Sequence, residues 1–254
     1  KMPNKIIEAF NKKNNHANIG FIVAGYPSIN FTSSFLKSLD DTSIDILEIG
    51  IPYSDPIADG KSISEASFKA CQDGVTTDTV FETLISEKDN INKPLVFLVY
   101  YNLVFAYGID NFIKKSVEAN ISGIIIPDLP YEEAEEFVAK LRNANISFIP
   151  LVSVTSENRI PKLVSQGDGF IYAIGSLGVT GTKPVSLDRL EGFVKEIREH
   201  TNLPIALGFG IKSNDDVNVL RDYADGVIVG TSIVNLTTTN DLELTVKGVN
   251  DLFK

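Results

Sequence analysis

The fold is indicated first by the stretch Asp45-Ile46-Leu47-Glu48-Ile49-Gly50, a short run of branched apolar residues that ends at a glycine. Apolar runs that end near Gly, Pro, Asp or Ser are typical of β-strands. The same signature recurs along the chain, and the eight predicted strands are residues 19–25, 45–50, 94–100, 123–128, 147–153, 169–175, 204–210 and 226–230. Most of the runs are apolar throughout, as expected of parallel strands that are buried on both faces.

Segments with the period of amphipathic helices separate the predicted strands. They are residues 31–39, 111–119, 132–143, 158–165, 187–200, 215–222 and 241–253. Repeated strand–helix units predict parallel strands joined by right-handed crossovers. We therefore expect an α/β fold, a parallel (β/α)8 TIM barrel with extra helices that forms a single domain over residues 1–254. An open doubly wound sheet is the alternative fold.

Composition excludes several classes of function. The chain has 254 residues, of which 43% are hydrophobic and 22% charged, and this composition is ordinary for a globular protein that can bury a sizeable core. The net charge of −10 disfavours a general nucleic-acid binder. No run of eighteen apolar residues predicts a membrane span, and the first residues lack the apolar core of a signal peptide. With Cys71 as the one cysteine, no internal disulfide is possible, and we expect a cytoplasmic protein.

Strand alternation singles out one carboxylate. It places Ile46, Glu48 and Gly50 on one face of the strand, and Leu47 and Ile49 on the other, uniformly apolar face. The apolar face should meet the helices, so Glu48 is predicted to point into the barrel near its top. An isolated ionised carboxylate there costs several kcal/mol. A salt bridge is the structural alternative, but no inward Lys or Arg occurs on the predicted strands, which favours acid/base chemistry at a raised pKa.

Asp55 and Asp59 follow on the next loop. Ser-Asp-Pro and Ala-Asp-Gly are also good turn sequences, so spacing alone leaves both aspartates open between turn formation and function. Tyr100 and Asn102 end another predicted strand and are candidates to line a pocket.

Glycine-containing segments lie at the ends of the last three predicted strands. Residues 178–182 follow the sixth strand, residues 208–211 end the seventh, and residues 230–232 end the eighth. Barrels often bind phosphate with the loops after strands seven and eight and a helix N-terminus, where glycine lets backbone N–H groups approach the anion. A phosphorylated substrate is therefore predicted. No Cys/His cluster has the spacing of metal ligands, so no metal site is predicted.

The stretch Leu47-Glu48-Ile49-Gly50-Ile51-Pro52-Tyr53-Ser54-Asp55-Pro56-Ile57-Ala58-Asp59-Gly60 resembles the signature of the tryptophan synthase α-subunit family nearly residue for residue. Three further motifs support the resemblance and occur in the family's order: Pro127-Asp128-Leu129-Pro130, Gly178-Val179-Thr180-Gly181 and Gly208-Phe209-Gly210-Ile211. The resemblance, with these motifs in the family's order, extends over nearly the whole chain.

The resemblance implies a lyase that splits indole-3-glycerol phosphate into indole and glyceraldehyde 3-phosphate by a retro-aldol reaction, without metal or organic cofactor. It implies that Glu48 is the general acid/base and Asp59 the second catalytic carboxylate. It also implies a partner, a β subunit that takes the indole on to L-tryptophan in an α2β2 heterotetramer.

By the same resemblance, the substrate site is assigned residue by residue. The indole pocket is predicted to consist of Phe21, Leu98, Tyr100, Ile125, Tyr172, Ile174 and Phe209. The phosphate cradle is predicted to consist of Gly181, Gly210, Gly230 and Thr231. Segments 53–75 and 178–189 resemble mobile loops that close over substrate.

The chain departs from the family pattern at a few positions near these loops, which are Tyr26, Lys61, Ser64, Thr231 and residues 182–184. Two other functions remain open at this point. One is a different phosphate-binding barrel enzyme, such as a phosphosugar isomerase or indole-glycerol phosphate synthase, although the synthase should have an inward catalytic lysine. The other is an inactive barrel that only binds and activates a β-type partner.

Overall fold

The computed structural model describes residues 4–12, 16–55, 59–176 and 185–254, in which strands and helices alternate. The strands are β1 (Ala17–Val23), β2 (Ile46–Gly50), β3 (Leu95–Leu98), β4 (Ile121–Ile125), β5 (Ser147–Phe148), β6 (Leu151–Ser153), β7 (Ile171–Ile174), β8 (Ile205–Gly208) and β9 (Gly226–Val229). The α-helices are α1 (Lys5–Asn11), α2 (Ile29–Lys37), α3 (Lys61–Gln72), α4 (Thr77–Glu87), α5 (Tyr101–Tyr107), α6 (Ile109–Glu118), α7 (Glu135–Asn143), α8 (Ile160–Ser165), α9 (Leu187–His200), α10 (Asn214–Arg221), α11 (Thr231–Thr237) and α12 (Leu242–Leu252).

The sheet closes on itself through a single interrupted strand. Its order is β5-β4-β3-β2-β1-β9-β8-β7-β6, and all neighbouring strands are parallel. The two ends of this order, β5 and β6, are separated along the chain by Ile149 and Pro150 alone. The Ile149 N–H donates to Ile124 O at 3.0 Å, and Pro150 O accepts from Tyr172 N–H at 3.0 Å. The fifth predicted strand therefore joins both edges, which confirms the (β/α)8 barrel and excludes the open sheet.

Alternation along the strands separates two apolar layers. Leu47 and Ile49 of β2 point outward into the layer shared with the helices. Ile46 points inward, where it packs with apolar side chains from the other strands in the barrel interior. The amino-terminal helix α1 contributes Ile6 and Phe10 to this inner layer, and Phe10 contacts Phe170 at 5.6 Å between ring centroids. One end of the barrel is thus filled by side chains, and the other end is left for a site.

Several helices of the structure were not predicted from the sequence. Helix α3 starts after Gly60 and helix α5 after Tyr100, and neither has a side-chain cap. Helix α4 begins with a capping box between Thr76 and Thr79 that the prediction missed. The segment 53–75, predicted to close over substrate, contains helix α3 at Lys61–Gln72, and its closure stays a prediction. The apolar face of α3 packs on the barrel, and that packing stabilises the helix without a cap.

None of the helices within the described ranges is long and apolar enough to cross a membrane.

Candidate active site

Glu48 lies near the middle of β2 and points into the barrel, as alternation predicts. It is only 2% exposed, and within the described ranges its Oε1 has no hydrogen-bond partner. Burial, reinforced by the negative charge of Asp59, raises its pKa from 4.5 to about 8. The salt-bridge alternative finds no support among the described residues, because none of their ion pairs includes Glu48. At neutral pH, this carboxyl group is protonated and available as an acid.

Asp59 approaches Glu48 from the loop after β2, directly before helix α3. Burial raises the pKa of Asp59, and a hydrogen bond from the Tyr100 side chain opposes that rise. Tyr100 follows β3, directly before helix α5, and packs against Tyr53 at 5.0 Å between ring centroids. Tyr53 is held in turn by Ser67 of α3, whose Oγ accepts from its N–H at 2.8 Å and donates to its C=O at 3.0 Å. Asp59 is therefore placed by contacts between two loops and a helix.

The two carboxylates open into one cavity of about 450 Å³ at the carboxyl ends of the strands. Its walls are mostly apolar, and such a volume suits a small-molecule substrate. The lining residues are Phe21, Glu48, Asp59, Gly60, Ile63, Leu98, Pro127, Leu151, Ser153, Ser156, Tyr172, Ile174 and Gly230. Burial and the two carboxylates raise the pKa of Tyr172 well above its ordinary value, so its hydroxyl stays protonated.

Four residues of the predicted indole pocket line this cavity: Phe21, Leu98, Tyr172 and Ile174. The other three do not. Tyr100 donates a hydrogen bond to Asp59 but is not itself among the lining residues. Ile125 is fully buried in the inner layer of the barrel. Phe209 is buried in the outer layer, where its ring covers Gly175, and a Cβ on Gly175 would come within 2.3 Å of Phe209 Cε2.

Two glycines make room for the aromatic side chains of the cavity. A Cβ on Gly50 would lie 2.7 Å from Phe21 Cζ, and a Cβ on Gly208 would lie 2.6 Å from Tyr172 Cε1. Real Cβ contacts are not this short, so each ring lies across the neighbouring strand only because a glycine is there. Gly50 follows Glu48 by two residues on the same face of β2, which brings the Phe21 ring close to the carboxyl group.

The predicted phosphate cradle is divided in the structure. Gly230 lines the cavity and precedes α11, and Thr231 is the exposed first residue of that helix. Gly210 is exposed, has a φ of +66°, and has open space where a Cβ would be. Ser232 Oγ donates to Ile211 O at 2.9 Å, which holds the loop after β8 against the start of α11. Gly181 lies outside the described residues, as do residues 182–184.

The sequence analysis missed six lining residues: Gly60, Ile63, Pro127, Leu151, Ser153 and Ser156. Leu151 and Ser153 share the inward face of the predicted strand 147–153, so alternation alone identifies them. Pro127 is part of a family motif. Ile63 was not identified because helix α3 was not predicted. In the structure it packs against a small cluster that includes Phe21.

Three of the residues at which the chain departs from the family pattern have polar contacts in the structure. Tyr26 Oη and Thr238 Oγ1 share a hydrogen bond of 2.9 Å. Ser64 Oγ donates to Asp59 O at 3.3 Å, next to the site. Lys61 is an exposed partner of Glu65 at 3.9 Å. Within the described ranges, no group of three His, Cys, Asp or Glu side chains is arranged to hold a metal ion.

Comparison with known proteins gives one consistent result. A family model described as tryptophan synthase alpha chain matches residues 7–251. A tryptophan synthase alpha chain from Campylobacter jejuni subsp. doylei is 47% identical over 246 residues, which cover 96% of this chain and 97% of the relative. One from Petrotoga mobilis is 42% identical and covers 93% and 91%.

Solved structures agree with these relatives. The tryptophan synthase subunit alpha from Campylobacter jejuni superposes with a TM-score of 0.88 at 46% identity, covering 96% of this chain and 98% of the other. An open form of tryptophan synthase from M. tuberculosis gives a TM-score of 0.88 at 28% identity, covering 98% and 97%. Because the family model and the relatives match nearly the full length, the chain belongs to the tryptophan synthase alpha chain family.

Proposed function

We propose that the chain cleaves indole-3-glycerol phosphate into indole and glyceraldehyde 3-phosphate, with Glu48 as general acid/base and Asp59 as the carboxylate that stabilises the indole ring. The observation that carries this assignment is the pair of carboxylates in one apolar cavity, one deeply buried and the other hydrogen-bonded to Tyr100. Their different surroundings separate their roles, since Glu48 is fully buried, whereas Asp59 is partly exposed and accepts a hydrogen bond from Tyr100 that lowers its pKa.

The first step is protonation of the ring. Glu48 gives its proton to C3 of the indole, and the ring becomes an electron-poor indoleninium. A pKa of about 8 keeps this carboxyl group protonated in the free enzyme at neutral pH. Positive charge then develops at N1, and Asp59, ionised and accepting the N1–H, stabilises that charge more in the transition state than in the ground state.

The second step breaks the carbon–carbon bond. The ionised Glu48 removes the proton from the hydroxyl of the adjacent glycerol carbon, and a carbonyl forms there. The electrons of the broken bond return to the ring, which leaves as neutral indole, while glyceraldehyde 3-phosphate carries the new aldehyde. Glu48 ends protonated, so the acid is restored without a further reactant.

The walls of the cavity suit the two ends of this substrate. The apolar side chains of Phe21, Leu98 and Ile174 offer surface for an indole ring. We assign the phosphate to Gly210, Gly230 and Thr231, because a glycine turn and the first N–H groups of α11 meet there and are tied together by Ser232. Gly181 stays in this assignment as a prediction.

A β subunit is the proposed partner, and indole the product passed to it for L-tryptophan synthesis in an α2β2 heterotetramer. The similarity to an M. tuberculosis tryptophan synthase structure supports this partner. Phe105 of α5 is 71% exposed and follows β3 on the cavity side of the barrel, so it is a candidate contact.

We infer one domain over residues 1–254, because side chains from Ile22 to Phe253 share one apolar layer. A cytoplasmic location fits a biosynthetic family and a chain whose one cysteine, Cys71, has no second cysteine to pair with.

Two other functions have less support. A synthase of the same fold should place a lysine in the cavity, and no lysine is among the described residues that line it. A purely partner-activating barrel gives no reason for a buried carboxyl group without a hydrogen-bond partner on its Oε1, which costs stability.

The experiment mixes the purified chain with indole-3-glycerol phosphate and follows indole release, with and without a β subunit. We expect release, and a fall of about 100- to 10,000-fold for Glu48→Gln with substrate affinity retained. The matched control is Glu87→Gln, since Glu87 is also buried but lies outside the cavity and is hydrogen-bonded by Ser33 and Asn90. Absence of indole in both conditions would refute the lyase, and full turnover by Glu48→Gln would refute the role of Glu48.

A further inference from the structure

Three hydroxyl groups form a small cluster at the end of β6. Ser153 Oγ lies 2.7 Å from Thr155 Oγ1 and 3.0 Å from Ser156 Oγ. Ser156 Oγ also accepts the N–H of Ser153 at 3.2 Å. Ser153 and Ser156 line the cavity, whereas Thr155 is exposed.

The cluster has more donors than it uses internally. Three hydroxyls carry three protons, and the two oxygen–oxygen contacts consume two of them. Within the described ranges, no other acceptor takes the third. Thr155 can exchange hydrogen bonds with water, which leaves Ser153 or Ser156 able to donate a hydrogen bond, or accept one, inside the cavity.

The rest of this wall is apolar. Ser153 pairs with Ile174 on β7, and one layer below it Leu151 pairs with Tyr172. Pro127 also lines the cavity. A polar group on such a wall is useful to a ligand that offers a hydrogen bond there, because a hydrocarbon edge would leave the hydroxyl unsatisfied.

The position of the cluster relative to the proposed anchors decides which part of the ligand reaches it. In the proposed function, the indole N1–H is bound by Asp59, in the loop after β2, and the phosphate lies at the ends of β8 and β9. The interrupted strand that carries the hydroxyls lies on the opposite side of the barrel from β1, three strands from β2. The benzene edge of the indole is the part of the substrate left to face it, and in plain indole that edge has no hydrogen-bonding group.

We propose that Ser153 and Ser156 form a specificity element that binds a hydrogen-bonding substituent on the benzene ring of the indole. The substrate class is hydroxylated indole-3-glycerol phosphates and, in the reverse direction, hydroxyindoles. The inference rests on the proposed function. Ser153 and Ser156 position the ring and take no part in the bond changes.

The test uses the reverse reaction, in which C3 of an indole adds to the aldehyde carbon of glyceraldehyde 3-phosphate. The C3 proton is lost to the acid/base pair, and the carbonyl oxygen gains a proton to become the new hydroxyl. The probes are the four hydroxyindoles substituted at ring positions 4, 5, 6 and 7, each compared with the methylindole substituted at the same position. Hydroxyl and methyl groups have similar size, so the ratio of their kcat/KM values reports the hydrogen bond.

The variants Ser153→Thr and Ser153→Val have the same shape and differ by one hydroxyl. We expect the hydroxyl-to-methyl ratio at one or two adjacent ring positions to be about fivefold lower in Ser153→Val than in Ser153→Thr, which corresponds to about 1 kcal/mol. Ser156→Ala should lower the same ratio. Ser165→Ala is the control, because Ser165 lies outside the cavity and its Oγ donates to Lys162 O at 2.6 Å.

Equal ratios for Ser153→Thr and Ser153→Val at all four ring positions would overturn the proposal. This outcome is distinct from failure of the proposed function, because in that case the wild-type chain would not condense unsubstituted indole either. If Ser153→Val does not fold, the comparison of Ser156→Ala with wild type decides the question by the same ratio.

Discussion

Glu48→Gln should change the pH dependence of stability as well as activity. The pKa of Glu48 is raised from 4.5 to about 8, chiefly because burial disfavours the ionised form. In the unfolded chain, the same group ionises near its ordinary value. Between these two pH values, the folded protein holds a proton that the unfolded chain has released, so folding stability falls as the pH rises through this window. Glutamine does not ionise, so the unfolding free energy of the variant should not show this decrease with pH.

The magnitude follows from the two pKa values. Each tenfold change in proton affinity is worth about 1.4 kcal/mol. Between pH 5 and pH 8.5, wild type should therefore lose about 4 kcal/mol of unfolding free energy that Glu48→Gln keeps. Small proteins have total stabilities of about 5–15 kcal/mol, so the effect is large enough to measure. The unpaired glutamine amide costs some stability at both pH values and cancels in the difference.

Urea unfolding at pH 5 and at pH 8.5 provides the assay, with wild type and variant measured side by side. Other titrating groups are common to both proteins and cancel. Glu87→Gln is the matched control. Its partners lower the pKa of Glu87, so its contribution to stability is lost only as the pH falls below its ordinary range, and the variant should track wild type between pH 5 and pH 8.5. A difference below about 1 kcal/mol for Glu48→Gln would refute a raised pKa.

Three further substitutions test the geometry of the site. Tyr100→Phe removes the hydrogen bond that opposes the raised pKa of Asp59. Turnover should therefore fall about fivefold, and the acid limb of the pH–rate profile should move to higher pH. An unchanged profile would contradict this contact. Gly50→Ala forces a Cβ to within 2.7 Å of Phe21, so KM should rise and stability should fall by about 1–3 kcal/mol. Gly192→Ala, in open space on α9, is its control and should raise stability by about 0.5–1 kcal/mol; similar losses in both would mean that the ring contact is unimportant. Gly210→Val places a β-branched residue at a φ of +66°, so affinity for glycerol phosphate, measured by calorimetry, should fall; retained affinity would place the cradle elsewhere.

Much of the fold was predictable because each buried parallel strand is a local apolar run with glycine or proline at its end. The same local rule identified Glu48, since alternation in β2 is a property of neighbouring residues. Helices α3 and α5 were missed because no side chain caps them and tertiary packing stabilises them instead. The break of the fifth strand at Pro150 was also missed, since the apolar run continues through it and only the pairing partners change.

The sequence by itself determined the eight strands and most of the helices between them, the inward direction of Glu48 and, through a long motif, the family. The tertiary structure decided which side chains meet: Tyr100 donates to Asp59, α3 brings Ile63 to the cavity, and Ser153 faces it from the opposite side. The physical reason is the distance along the chain over which each effect acts. Alternation and turn chemistry act between neighbours in the chain, whereas a raised pKa and a shaped cavity depend on groups brought together from distant strands.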